Sequence, residues 1–121
     1  MILIVGGEAA GKRTLAAKLG YSAGQMSSDL AAETPVIFGV EQLVADYDRT
    51  AVDALARVLA QKQVVICNEV GCGIIPMQEE GRRFRKSVGR LCALLAEEAD
   101  CVVRVVCGLP QVIKGELPKQ I

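Results

Sequence analysis

Apolar residues recur in two rhythms along the chain. Short, mainly apolar runs occur at Met1 to Val5 (MILIV), Pro35 to Val40 (PVIFGV), Val64 to Cys67 (VVIC) and Cys101 to Cys107. Runs this short, rich in branched side chains and stopped by Gly or Asn, predict strands buried on both faces. Between them the spacing changes to that of a helix. Leu43, Val44, Tyr47, Ala51, Leu55, Val58 and Leu59 share one stripe within Glu41 to Gln63, and Phe84, Val88, Leu91 and Leu95 share another within Glu79 to Ala99. Lys12 to Leu19 predicts a short helix that stops at Gly20. Tyr21 to Thr34 reads as a loop with one irregular helical turn, and Asn68 to Pro76 as a glycine-bearing loop. Residues 111–121 read as a polar tail or a short closing arm. The order β-α-β-α-β-α-β predicts a single α/β domain over residues 1–121, with a mainly parallel sheet, right-handed crossovers and helices on both faces.

Composition sharpens this picture. Apolar residues make up 51% of the 121 positions, yet only 3% are aromatic, so Val, Leu, Ile and Ala must fill the core. Fourteen Lys and Arg balance fourteen Asp and Glu, and no global field favours nucleic acid or a lipid surface. No apolar run approaches the ~20 residues of a membrane span. Met1 to Val5 carries no basic leader, so a cytoplasmic protein is expected. The five cysteines, Cys67, Cys72, Cys92, Cys101 and Cys107, form no CxxC pair, and the chain has no histidine. They read as free thiols acting as small hydrophobes, and a metal held by cysteines is not expected.

The first strand runs into Gly6-Gly7-Glu8-Ala9-Ala10-Gly11-Lys12-Arg13-Thr14. Gly6, Gly11 and Lys12 have the spacing of a phosphate loop between a strand and a helix. In such a loop successive backbone N–H groups line a concavity, lysine reaches the terminal phosphates, and a Ser or Thr after it holds Mg2+. Here Arg13 stands at that last position. Thr14 lies ~100° further round the helix. The expectation is therefore a bound ATP or GTP with a weakened need for Mg2+, Arg13 meeting phosphate directly. The bland alternative is a glycine-rich turn with a solvated lysine.

Two further groups carry candidate chemistry. Glu69 follows a buried strand, at the sheet edge where α/β proteins bind ligands, and could order a metal or accept a proton. It could equally be a surface carboxylate paired with Lys or Arg. The cations of Arg82-Arg83-Phe84-Arg85-Lys86 could bind an anion, although such runs are more often solvated helix faces.

Three stretches together, VVICNEVGCGIIP, RRFRKSVGRL and AEEADCVVRVVCGLP, resemble the bifunctional adenosylcobinamide kinase / adenosylcobinamide-phosphate guanylyltransferase family. The opening MILIVGGEAAGKRTLAAKL is similar to that family's first strand and phosphate loop. The resemblance covers residues 1 to about 20 and about 35 to 114 of the numbering used here. It implies a RecA-like P-loop fold with three α/β/α layers and a homotrimer. It also implies a nucleoside triphosphate that phosphorylates the aminopropanol hydroxyl of a corrinoid, in cobalamin biosynthesis. By position, Gly6, Gly7, Gly11 and Lys12 would form the loop, Lys12 and Glu69 would be catalytic, and Arg83 and Arg85 would be the helix arginines that meet substrate.

The chain departs from the family pattern in several places. Arg13 replaces the hydroxyl. A strand and a histidine-bearing helix are missing between Leu19 and Pro35. No histidine exists to carry a guanylyl group, so guanylyl transfer is not expected. Gly39 ends the strand at Val36 to Phe38 where the family has aspartate, and the nearest carboxylate is Glu41. Lys86 follows Phe84-Arg85 where aspartate is usual. Three readings remain: a reduced corrinoid kinase, a non-catalytic nucleotide-binding or interaction module, and a small P-loop kinase for another alcohol.

Overall fold

The computed structural model describes residues 1–44, 48–69 and 79–120. Its strands are β1 (Ile2–Gly6), β2 (Met26–Ser27), β3 (Val36–Ile37), β4 (Val64–Asn68), β5 (Cys101–Val106) and β6 (Leu109–Lys114). Its α-helices are α1 (Lys12–Lys18), α2 (Arg49–Leu59) and α3 (Glu79–Glu98), with 3-10 turns at Ala23–Gln25 and Val40–Leu43. The strands form one open sheet in the order β2-β3-β4-β1-β5-β6. Every pairing is parallel except that of β5 with β6.

The strands are apolar at successive positions because both faces of the sheet are covered. Leu3 aligns with Val65 and Val102 and faces α2 and α3, where Val52, Ala56, Leu59, Val88, Leu91 and Leu95 complete one core. Ile4 aligns with Ile66 and Val103 and faces Leu15 and Ala16 of α1 in the other. The expected three-layer arrangement is present. Burying each of these Leu or Ile side chains fully is worth about 1.5–3 kcal/mol.

Several boundaries differ from the sequence reading. The stripe over Glu41 to Gln63 is not one helix. A 3-10 turn follows β3, and α2 starts only at Arg49, because the Asp48 carboxylate accepts the Thr50 N–H at 3.1 Å and caps it. Tyr47 lies outside the described residues. β3 has two residues rather than six, since Gly39 turns the chain at φ +66°. The loop after α1 contains its expected helical turn and also the two-residue edge strand β2.

Of residues 111–121, expected to be a polar tail or a short closing arm, the first four continue a strand. Cys107 and Gly108 both have positive φ, 51° and 77°, which a two-residue type I′ hairpin turn requires. β6 then returns along β5, and Pro110 is tolerated because β6 is an edge. From β6, Lys114 donates to the carbonyls of Ala96 and Glu97, each at 2.9 Å, and satisfies the last turn of α3.

The connection after β1 runs through α1 on one face, and that after β4 runs to α3 on the other. The C-terminal ends of β1 and β4 thus flank a crevice at the switch between faces, where open α/β sheets bind ligands. No helix among the described residues is long and apolar enough to cross a membrane.

Candidate functional site

The loop after β1 is shaped by close approach. A Cβ on Gly6 would lie 2.6 Å from the Val105 carbonyl oxygen on the neighbouring strand, so only glycine lets β1 end here. Gly11 sits at φ +101° immediately before α1, and its carbonyl accepts the Leu15 N–H at 3.0 Å. Ala9 also has a positive φ, 59°. Left-handed residues alternating with ordinary ones turn backbone N–H groups toward a common concavity that suits an anion. The loop is tied across its width by Ala10 N–H to the Gly7 carbonyl (3.2 Å), and to the β5–β6 turn by Gly108 N–H to the Ala10 carbonyl (2.9 Å).

Lys12 is only 6% exposed, and its Nζ donates to the Gly7 carbonyl, curling back over its own loop. Burial lowers its pKa from the ordinary lysine value, and the negative charge of Glu41 is the strongest opposing influence, followed by Cys67, Glu69 and Glu8. Glu41 is 3% exposed, and its Oε1 accepts the Asn68 N–H at 3.0 Å. A buried ammonium and a buried carboxylate therefore flank the ends of β1 and β4.

In front of them opens a cleft of about 360 Å³. Residues Glu8 to Thr14 form one side, and Phe38, Gly39, Ile66 and Asn68 the other. Arg13 lies over the Phe38 ring with its guanidinium carbon 4.7 Å from the centroid, a cation–π contact. Arg13 thus brings a fixed positive charge to the cleft at the position that holds a metal-binding hydroxyl in an intact phosphate loop.

Glu69 is at the same sheet edge. Its N–H donates to the Gly6 carbonyl at 2.7 Å, joining β4 to the start of the loop. Its carboxylate is gripped at two points by Arg104 on β5, at 2.7 and 3.1 Å. The pairing alternative raised for this residue is therefore present, but at the sheet edge rather than on open surface, with the Glu69 side chain half-buried. The rest of the NEVG stretch, from Val70 on, and Cys72 lie outside the described residues. Arg83 and Arg85 are on the N-terminal half of α3, Arg83 exposed and Arg85 half-buried, and neither lines the cleft. Among the described residues, no group of three or more Cys, Asp or Glu side chains is arranged to hold a metal.

Sequence reasoning gave no role to Phe38 or Arg104, and named Glu41 only as the nearest carboxylate after β3. Glu41 carried a signal in its position, a charged residue directly after an apolar run. Arg104 carried one too, as the only charge inside the otherwise apolar β5.

Comparison with known proteins adds to this geometry. Residues 40–113 match the family model described as cobinamide kinase / cobinamide phosphate guanyltransferase. The match begins after Gly39, so the loop Gly6 to Thr14 precedes it. The chain is 34% identical over 71 residues to the bifunctional adenosylcobalamin biosynthesis protein CobP of Pseudomonas aeruginosa, covering 59% of this chain and 41% of that protein. It is 39% identical over 75 residues to the bifunctional adenosylcobalamin biosynthesis protein CobU of Salmonella typhimurium, covering 62% of this chain and 41% of that protein. The similarity thus spans less than half the length of either relative.

Proposed function

The chain belongs to the cobinamide kinase / cobinamide phosphate guanyltransferase family, and on that premise we propose that it binds ATP or GTP in the loop Gly6 to Thr14 and transfers the terminal phosphoryl group to the aminopropanol hydroxyl of a corrinoid. The observation that carries the reading is Lys12, a buried ammonium folded over a tight glycine loop at the mouth of a polar cleft. Burying an ammonium is costly unless an anion answers it. A polyphosphate would draw Nζ away from the Gly7 carbonyl and give it full-charge partners.

In the proposed reaction the acceptor oxygen attacks the terminal phosphorus, the bond to the bridging oxygen breaks, and the nucleoside diphosphate leaves. The transition state spreads negative charge over the transferred group, so fixed cations nearby lower the barrier. Lys12 and Arg13 supply them. Glu69, oriented by Arg104, is the carboxylate suited to align the acceptor hydroxyl. Arg83 and Arg85 are assigned to substrate binding, and the homotrimer is carried over from the family.

The residues present do not fit a magnesium ion held by the loop. Arg13 takes the hydroxyl's position and stacks on Phe38, and no carboxylate cluster replaces it among the described residues. Titration with ATP or GTP is expected to give similar dissociation constants with and without Mg2+. A large metal requirement would refute this part of the reading. Guanylyl transfer through a histidine is not part of this reading, since the sequence has no histidine to carry the nucleotide.

A second reading is favoured by the same Arg13 and by the Arg104 grip on Glu69: a family member that holds nucleotide without turning it over, as a binding or interaction module. Transfer of labelled phosphate from ATP or GTP to cobinamide, with Lys12→Ala as control, separates the two. Lys12-dependent transfer supports the kinase. Binding without transfer supports the module, and absence of nucleotide binding removes both.

A further inference from the structure

Behind the cleft, on the opposite face of β4 from α1, two thiols meet. Cys67 of β4 and Cys92 of α3 bring their Sγ atoms to 3.4 Å across the helix–sheet interface. Cys67 is fully buried in the core beneath α2 and α3, while Cys92 is half-buried at its margin. The proposed phosphoryl transfer uses neither. The remaining described cysteines are placed differently: Cys101 is buried in the core on the other face, and Cys107 is exposed in the β5–β6 turn.

We propose that Cys67 and Cys92 are a modification site, a dithiol that closes reversibly into an intramolecular disulfide by exchange with a small-molecule disulfide such as oxidised glutathione. The more accessible Cys92 thiolate attacks one sulfur of the reagent, forms a mixed disulfide and expels one reduced thiol. Cys67 then loses its proton and attacks the Cys92 sulfur, expelling the second. Two protein thiols and one reagent disulfide become one protein disulfide and two reagent thiols, so the protein loses two electrons and two protons.

The geometry and the electrostatics agree on this order of events. A disulfide needs its sulfurs at about 2.05 Å, so closure requires an approach of roughly 1.4 Å, within reach of side-chain rotation and a small helix shift. Sharing a hydrogen bond with Cys67 holds the Cys92 thiol below its usual range. The same contact, with burial and the nearby charges of Cys92 and Glu41, pushes Cys67 up, and Lys12 opposes this. The attacking thiol is thus the accessible one of lower pKa, and the resolving thiol is the protected one. The bridge would tie β4 to α3 directly behind Asn68 and Glu69.

The test uses the full chain in glutathione buffers of graded oxidation, with acid quenching, alkylation, intact mass and peptide mapping. The expected product is a Cys67–Cys92 bridge, lighter by two hydrogen atoms and reversed by dithiothreitol. Cys67→Ala is expected to stop at a glutathione adduct on Cys92, and Cys92→Ala to leave Cys67 unreacted. Exposed Cys107 serves as the internal control for reagent activity. A bridge from either residue to Cys72, Cys101 or Cys107 would overturn the proposal. So would an unmodified Cys92 under conditions that fully modify Cys107. Should a substitution unfold the chain by far-ultraviolet circular dichroism, the wild-type peptide map decides alone. None of these readouts depends on nucleotide binding.

Discussion

At the scale of single residues, Lys12 concentrates the conflict that makes the site useful. Burial depresses its pKa below the ordinary 10.5, yet its proposed task requires the charged form. Two opposite pH trends follow. Between the lowered pKa and 10.5 the unfolded chain holds the proton that the native state has released, so this residue's contribution to folding stability rises with pH in that window. Nucleotide affinity falls over the same window, as the ammonium is lost. Calorimetric titrations across alkaline pH should show weakening that begins below 10.5 and is absent in Lys12→Met. At neutral pH that variant is expected to bind about 10- to 100-fold more weakly, or roughly 1.4–2.8 kcal/mol. Unchanged affinity would show that the ammonium does not touch phosphate.

The loop's spacing could be read from sequence because Gly6, Gly11 and Lys12 lie in one short stretch of chain and each has a local reason to be there. Glu41 and Arg104 could not be read in the same way. Their partners, Asn68 and Glu69, are distant in sequence and meet them only after the sheet assembles. For Glu69 the chain alone left a chemical role and ion pairing equally open, and its ion-pair partner on β5 comes near only in the assembled sheet.

At the scale of elements, apolar rhythm marked β1, β4, β5, α1 and α3 with ends close to those observed. It failed where polar detail overrides it. Asp48 starts α2 late by capping Thr50, and the positive φ values of Cys107 and Gly108 turn the chain back as β6 where the polar pattern left a tail or a closing arm equally open. β2 has two residues and owes its extended form to pairing with β3, so no local signal marks it. The α2–α3 layer should answer to mutation as a packed interface. Leu91 is fully buried, and Leu91→Ala is expected to cost about 2–5 kcal/mol in urea unfolding, through lost transfer energy and the cavity left behind. Asp53 and Arg90 join the same two helices by a two-point ion pair at 2.8 and 3.0 Å. Both are half-exposed, and Asp53→Asn should change stability far less than the leucine truncation, because solvent screens the pair. An equal loss from the two variants would mean that charge, not packing, holds this layer.

For the whole molecule, the topology gathers what the sequence scatters. The crossovers carry α1 to one face and α2 and α3 to the other, and the crevice between β1 and β4 receives the loop, Glu41, Asn68 and Glu69 together. A ligand gripping that crevice joins two strands that are more than fifty positions apart in sequence. Excess nucleotide should therefore stabilise the entire fold, by about 2.7 kcal/mol at a hundredfold excess over the dissociation constant. Thermal unfolding with and without ATP or GTP measures this. A shift in wild type that vanishes in Lys12→Met would link global stability to the loop, and equal shifts in both would place the ligand elsewhere.

The amide of Gly108 reaches the carbonyl of Ala10, so the chain's closing hairpin acts as a buttress for its opening turn. Whatever tugs on that hairpin, whether a neighbouring subunit laid along the bare rim of β6 or a protease trimming it, would be felt as slack or tension where the first helix begins. The last strand, set apart from the crevice by β1 and β5 in sheet order, is in this sense a handle on it.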